Sequence, residues 1–289
     1  MPDAKEGFSM QDAFDPRRFK EQERAGYNMI ATRYEDASGA REPVLLRMLE
    51  LASLGPGQAV LEVASGPGML ARLAARRIAP AGSAVAADIA EASLDEGRKR
   101  AAREGIANLR FQVEDAEALS FPAGTFDRVL CSMGFMHFPV AADAAREMFR
   151  VLKPGGLLVA AVWGAEERVP FLSCALQCLK RNLPPPKVER PSIFRFGTID
   201  TFSALLAGAG FRTAQIEPLM IAAEFADATA YWRTFLDLAG ITTVVLAKLP
   251  REMQNHLARD VAKDLAPFRT SGGCRLTGEV LIACAHKPG

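Results

Sequence analysis

The chain has 289 residues, 35 lysines and arginines against 34 acidic residues, a formal net charge of +1, and 49% hydrophobic residues. That balance excludes a global positive field able to hold nucleic acid by charge alone and favours a small or neutral partner, while the apolar content supports a substantial core in one large domain or two small ones. No stretch approaches the roughly 18 apolar residues of a membrane span, and the segment MPDAKEGFSMQDAFDPRRFKEQER lacks an apolar signal core, so a cytoplasmic protein is expected.

Residues 1–42, which include YNMIATRY, are expected to form a helical cap. From about Gln58 onward, apolar runs of strand length alternate with amphipathic helical stretches, the pattern of a doubly wound parallel sheet covered on both faces. AVLEVA (Ala59 to Ala64) is the first strand, followed by the helix MLARLAARRIA, the strand SAVAADI ending near Asp88, and the helix EASLDEGRKRAAREG. LRFQVED and FDRVLCS supply two more strands. AADAAREMFRVL reads as a helix stopped at LKPGG by Pro154 and Gly155, and GLLVAAVW as the fifth strand.

After Trp163 the alternation weakens, and PFLSCALQCLKRN with Pro184, Pro185 and Pro186 reads as an excursion over the sheet. TIDTFSALLAGAG is a helix closed by Gly208 or Gly210, FRTAQIEP a strand, and EVLIACAH the last strand. Lid insertions are placed at about 164–197 and 218–275 within a domain of residues 43–289. The second contains the helices DATAYWRTFLDLAG and REMQNHLARDVAKDLAPF and is assigned to a binding wall. Cys131, Cys174, Cys178, Cys274 and Cys284 form no C-x-x-C pair, so neither a disulfide framework nor a metal site is expected.

In an open α/β sheet ligands sit beyond the carboxyl ends of the strands. There the first strand runs into LEVASGPG, where Gly66 and Gly68 let the backbone bend sharply and approach a ligand. Gly66, Gly68 and Ala71, with Asp88 some twenty residues on, also fit a dinucleotide fingerprint. Charge separates the two readings. Glu62 would repel a pyrophosphate resting on the turn but would suit the ammonium of S-adenosylmethionine, which carries no phosphate.

LEVASGPG, Asp88, VEDAEALSFPAGTFDRVLCSMGFMHF and VLKPGGLLV, in that order and spacing, resemble the class I S-adenosylmethionine-dependent methyltransferases, within the group that includes the ubiquinone and menaquinone methyltransferases. The resemblance covers about Tyr27 to Trp163. It implies a Rossmann-like, mostly parallel seven-stranded sheet with an antiparallel last strand and a helical lid insertion. It also implies that Glu62, Ala64, Gly66 and Gly68 line the methionine portion of the cofactor, that Ser65 belongs to the cofactor-binding set, and that Asp88 accepts from the ribose hydroxyls. Ile89 would pack on the adenine, Asp115 and Ala116 would meet its edge, and Ser132 and Met133 would flank the sulfur. Tyr27 and Tyr34 resemble an aromatic cover. A turn role for Asp88, a turn cap for Asp115, a backbone partner for Ser132 and ordinary packing for Ile89 and the tyrosines are the alternatives. One departure stands out: Ala64 occupies the place of the family's first glycine.

His137, after the fourth strand, is the best-placed base for an acceptor that must lose a proton, against the alternative of a loop histidine bonded to a carbonyl; His256 and His286 read as surface or packing residues. Phe194, Phe196, Tyr231, Trp232 and Phe235 suggest a pocket for a flat or greasy acceptor, although core packing gives the same composition. The expected function is methylation of a small organic molecule, O- or C- ahead of N-, by a monomer or homodimer with no nucleic-acid partner. An NAD-dependent oxidoreductase and a non-catalytic binding or assembly factor are the alternatives.

Overall fold

The computed structural model describes residues 14–185 and 190–289; residues 1–13 of the expected cap and Pro186 of the proline run lie outside them. Helix α1 (Pro16–Ala37) starts where the Asp15 side chain accepts from the amides of Arg17 and Arg18, with Pro16 in the first turn, where its missing N–H costs nothing. Its buried face carries Phe19, Glu23, Gly26, Ile30 and Ala31 at helical spacing. A single 3₁₀ turn, Gly39–Arg41, leads into α2 (Glu42–Ala52).

The alternating part follows as β1 (Ala59–Val63), α3 (Met69–Ile78), β2 (Ser83–Asp88), α4 (Glu91–Arg103), β3 (Leu109–Val113), β4 (Phe126–Ser132), α5 (Ala141–Val151) and β5 (Leu152–Trp163). Then come α6 (Pro170–Asn182), α7 (Ile199–Gly208), β6 (Arg212–Phe225), α8 (Ala228–Leu238), α9 (Ile241–Ala247), α10 (Arg251–Asp264), β7 (Arg269–Thr270) and β8 (Gly273–His286). The strand order is β3-β2-β1-β4-β5-β8-β6, with the two-residue β7 paired to β8. Strands β1 to β5 pair in parallel, and β8 runs antiparallel to both β5 and β6. This is the expected Rossmann-like arrangement of seven long strands with an antiparallel last one. The apolar run GLLVAAVW is buried at every position, as a central strand covered on both faces requires.

Three elements differ from expectation. Strand β5 begins directly after α5, because Leu152 pairs with Phe126 and a register shift before Arg128 lets Pro154 and Gly155 bulge outward, Gly155 at φ +73°. Strand β6 continues to Phe225, paired with Cys274, so residues 218–225 and 273–275 belong to the sheet rather than to the insertion. The insertion is accordingly shorter and holds an unanticipated helix, α9. Helix α1 meets α9 backbone to backbone: a Cβ on Gly26 would stand 2.2 Å from the Ile241 nitrogen. Arg72 of α3, nearly fully buried, ties α1 down through Glu35 (2.5 Å) and reaches Glu104 after α4 (2.9 Å). Helix α1 is thus a fixed cover over the carboxyl ends of the first strands. Among the described residues, no helix is long and apolar enough to cross a membrane.

Candidate active site

Strand order reverses between β1 and β4, and the exits of these neighbours define the crevice in which an open α/β sheet binds ligands. Both exits are strained, since Ala64 (φ +54°) and Met133 (φ +59°) occupy the left-handed region without being glycine. A cleft of about 1080 Å³, counted to its open mouth, begins here. Of the thirteen residues expected to hold a cofactor, all but Gly68 line it.

Glu62 is 3% exposed, and its Oε2 accepts from the Ala71 amide at 2.7 Å, in the first turn of α3. It therefore takes up an amide at the helix amino terminus where a pyrophosphate would otherwise rest, which disfavours the dinucleotide reading. Burial pushes this carboxyl up to about 8; the Ala71 amide and the nearby Arg72 charge pull it down only in part.

Asp88 ends β2 with Oδ2 accepting from the Gly66 amide (2.7 Å) and Oδ1 from the Ala90 amide (2.8 Å). The turn role is real, yet each oxygen keeps a lone pair for a ligand hydroxyl. Asp115 caps its own turn by accepting from the Glu117 amide (2.9 Å), and Lys20 of α1 lies 2.6 Å from both the Asp115 and Glu117 carboxylates. Burial would lower the Lys20 ammonium, but these two carboxylates more than offset it and hold it above its ordinary value. Ile89 and Ala116 line the same end.

A second cavity, about 880 Å³ to its mouth, adjoins the first, and Glu23, Tyr27, Tyr34, Arg41, Met133 and His137 line both. In this shared wall His137 Nδ1 lies 2.8 Å from Glu23 Oε2, and Nε2 lies 3.0 Å from the Tyr27 hydroxyl. Glu23 is buried and also pairs with Arg190. Burial alone would raise its carboxyl, but His137 and Arg190 outweigh that and hold it below the usual range. A carboxylate on Nδ1 fixes the proton there, leaving Nε2 as the acceptor toward Tyr27. Burial lifts the Tyr27 phenol well above its ordinary value, so it stays protonated and donates. Arg195 braces the loop by donating to the carbonyls of Phe135 and Phe138, on either side of His137.

Residues 60–156 match the family model for a methyltransferase domain. A ubiquinone/menaquinone biosynthesis C-methyltransferase, UbiE, from Hydrogenovibrio crunogenus is 37% identical over 138 residues, 47% of this chain and 54% of that protein. The UbiE of Azotobacter vinelandii is 29% identical over 64% of this chain and 80% of its own length. The chain carries a class I S-adenosylmethionine-dependent methyltransferase domain. It spans about half the length of the first of these curated relatives. The YcgJ protein of Bacillus subtilis shares the fold at 19% identity, with a TM-score of 0.60 over 85% of this chain and 98% of that one.

Within this domain Gly68 is closely packed. At φ +71° it opens α3, and a Cβ there would meet Phe111 Cε1 at 2.8 Å. Ala64, in the family's glycine position, bears a left-handed backbone that costs an L-residue roughly 1–2 kcal/mol. Ala64→Gly is therefore expected to raise thermal stability by about 1 kcal/mol without weakening ligand binding. A loss of stability in thermal unfolding would show instead that the methyl's packing opposite Gly134 matters more.

Of the five lid aromatics, only Phe235 lines the second cavity. Tyr231 is core, its hydroxyl 3.2 Å from the Phe171 carbonyl and the Ala175 amide, and Trp232 stacks on Phe235 (5.5 Å between centroids). Phe194 and Phe196 pack against the core. The apolar wall comes instead from Phe19, Trp163, Leu172, Leu176, Ile193 and Leu238. Glu23, Lys20, Arg41 and Arg190 escaped sequence reasoning. Each sits in charged surroundings where nothing in the local pattern marks it.

Proposed function

We propose that this chain transfers a methyl group from S-adenosylmethionine to a small organic acceptor, the cofactor lying in the first cleft and the acceptor in the second. The observation that carries this reading is the wall of six residues common to both cavities, which lets two ligands meet across Met133, Tyr27 and His137. The residues fit the cofactor by charge: Glu62 suits an ammonium, Asp88 a vicinal diol, and Asp115 with Ala116 an adenine edge. When bound, the cofactor supplies an electrophilic methyl on a sulfonium.

The chain's own residues do the rest. Tyr27 and Tyr34 cover the cleft and, with the apolar second cavity, exclude water. The shared wall aligns the nucleophile for an in-line displacement. His137 Nε2, held in the accepting tautomer by Glu23, takes the proton of an acidic acceptor, directly or through the Tyr27 hydroxyl. That proton acceptor supports O- or C-methylation over N-methylation. Residues 43–289 are read as the catalytic domain, with the amino-terminal helix as its cover, in a cytoplasmic monomer or homodimer acting on no nucleic acid.

Titration calorimetry with S-adenosylmethionine, S-adenosylhomocysteine and NAD tests the cofactor: heat is expected with the first two only. Asp88→Ala should weaken both sulfur ligands by about 1–3 kcal/mol. No heat with either in the wild type would overturn the assignment, and binding without turnover on any acceptor would point to a non-catalytic role.

A further inference from the structure

Among the described residues, every basic side chain lining the first cleft except Arg41 has a carboxylate partner that no ligand need replace. Lys20 pairs with Asp115 and Glu117, and next to the cleft Arg72 pairs with Glu35 and Glu104 and Arg190 with Glu23. His137 has Glu23. Arg41, at the end of the 3₁₀ turn between α1 and α2, has no carboxylate within 4.0 Å among the described residues.

What holds Arg41 in place is neutral. Its Nη1 donates to the Tyr34 hydroxyl at 2.9 Å, its Nη2 donates to Ser38 Oγ, and its guanidinium carbon lies 4.9 Å from the Tyr34 ring centre. Each of these nitrogens uses one hydrogen and keeps one, while Nε is buried with no partner at all. A guanidinium positioned by neutral groups and left without an anion is prepared for a ligand's anion, which a planar fork of donors binds in two-point fashion. Arg195 also lacks a carboxylate and has a buried, unpartnered Nε, but its Nη2 is held by two carbonyls and it lies outside both cavities, out of reach of a ligand there.

Position identifies the anion. The Tyr34 ring is 3.7 Å from where a Cβ on Gly66 would stand, so the Tyr34–Arg41 pair covers the glycine turn. Glu62 lines the same end, and Lys20 and Asp115 mark the other. One buried carboxyl and one unneutralised guanidinium at one end of a cleft complement an α-amino acid zwitterion. We propose that Arg41 binds the α-carboxylate of the cofactor's methionine moiety while Glu62 faces its ammonium. This rests on the cofactor reading above and adds the group that reads the carboxylate.

The test compares S-adenosylmethionine with its decarboxylated analogue, which keeps the adenosine, sulfonium and amine, by calorimetry on the full chain. The wild type is expected to prefer the intact compound by on the order of 10- to 100-fold, the range for a hydrogen-bonded charged pair. In Arg41→Gln that preference should shrink to about threefold or less, with the analogue bound as in the wild type, and Arg41→Lys should recover part of it. Arg41→Gln losing both ligands equally would assign Arg41 a structural role. Retention of the full preference, including the case where Arg41 serves an anionic acceptor from the second cavity, would place the carboxylate elsewhere. Both outcomes overturn the proposal. A wild type that binds neither compound would instead refute the cofactor reading itself.

Discussion

Glu62→Gln is expected to weaken S-adenosylmethionine by about 10- to 100-fold, the loss of a hydrogen bond between charged groups at 1.5–3 kcal/mol, and to erase a pH dependence that the wild type shows. In the free protein burial holds the Glu62 carboxyl at about 8, so near neutrality it carries a proton that must leave before it can face an ammonium. Between pH 6 and about 7.5, below the ordinary α-amino range, wild-type affinity should therefore rise by up to roughly tenfold per unit, and the variant should stay flat. Stability of the free protein carries the opposite sign. The folded state retains a proton that the unfolded chain releases near 4.5, so wild-type stability falls as pH climbs from about 4.5 to 8. Glu62→Gln escapes that loss and should be the more stable form in denaturant titrations at pH 8, the difference narrowing toward pH 5. Parallel affinity curves for the two proteins would remove Glu62 from cation recognition.

The same carboxylate shows how far the sequence could be read. AVLEVA, SAVAADI and GLLVAAVW are legible because strands buried on both faces are largely apolar, and their short length between turn residues separates them from buried helices. The turn after β1 is legible as a turn, and its ambiguity between two cofactor classes turns on one acidic residue, whose carboxyl the structure places against the first turn of α3. Gly68 has two physical reasons to be glycine that its motif alone does not separate: a positive φ and close packing on Phe111 demand glycine as strongly as a ligand would. Residues 218–225 were misjudged because a paired strand at the edge of the domain, with Pro218 and Glu224 in it, lacks the unbroken apolar run of β5.

The cover over the cleft was hardest to read. Helix α1 buries Glu23 alongside Phe19 and Ile30, and a buried glutamate on a charged helix has no local signature. Its role appears only when the chain brings together His137, more than a hundred positions away, and Arg190 from beyond α6. Likewise the lid aromatics divided between cavity wall and core, a distinction that composition does not contain. Long-range packing, rather than propensity, decides these assignments.

His137→Ala is expected to lower kcat by about 10²- to 10⁴-fold, the usual contribution of a positioned general base, for a hydroxylated acceptor that the wild type turns over, followed as S-adenosylhomocysteine release. Cofactor affinity should change less than kcat, because the hydrogen bonds that hold Glu62, Asp88 and Asp115 in place run to backbone amides and to Lys20 and not to the imidazole. Tyr27→Phe separates the two proton routes. Burial keeps the phenol protonated, so the part open to it is a relay to Nε2 rather than the base itself, and its removal is expected to cost about tenfold, less than loss of the imidazole. Glu23→Gln keeps an oxygen for the Nδ1 proton but removes the buried negative charge beside the ring, and it leaves Arg190 without its anion, so an intermediate loss in kcat with some loss of stability is expected. The order His137→Ala, then Glu23→Gln, then Tyr27→Phe is the signature of a carboxylate-supported imidazole receiving the proton. If His137→Ala retained kcat within about threefold while binding cofactor normally, alignment across the shared wall would carry the reaction alone, a contribution that orientation in a dry pocket is large enough to make.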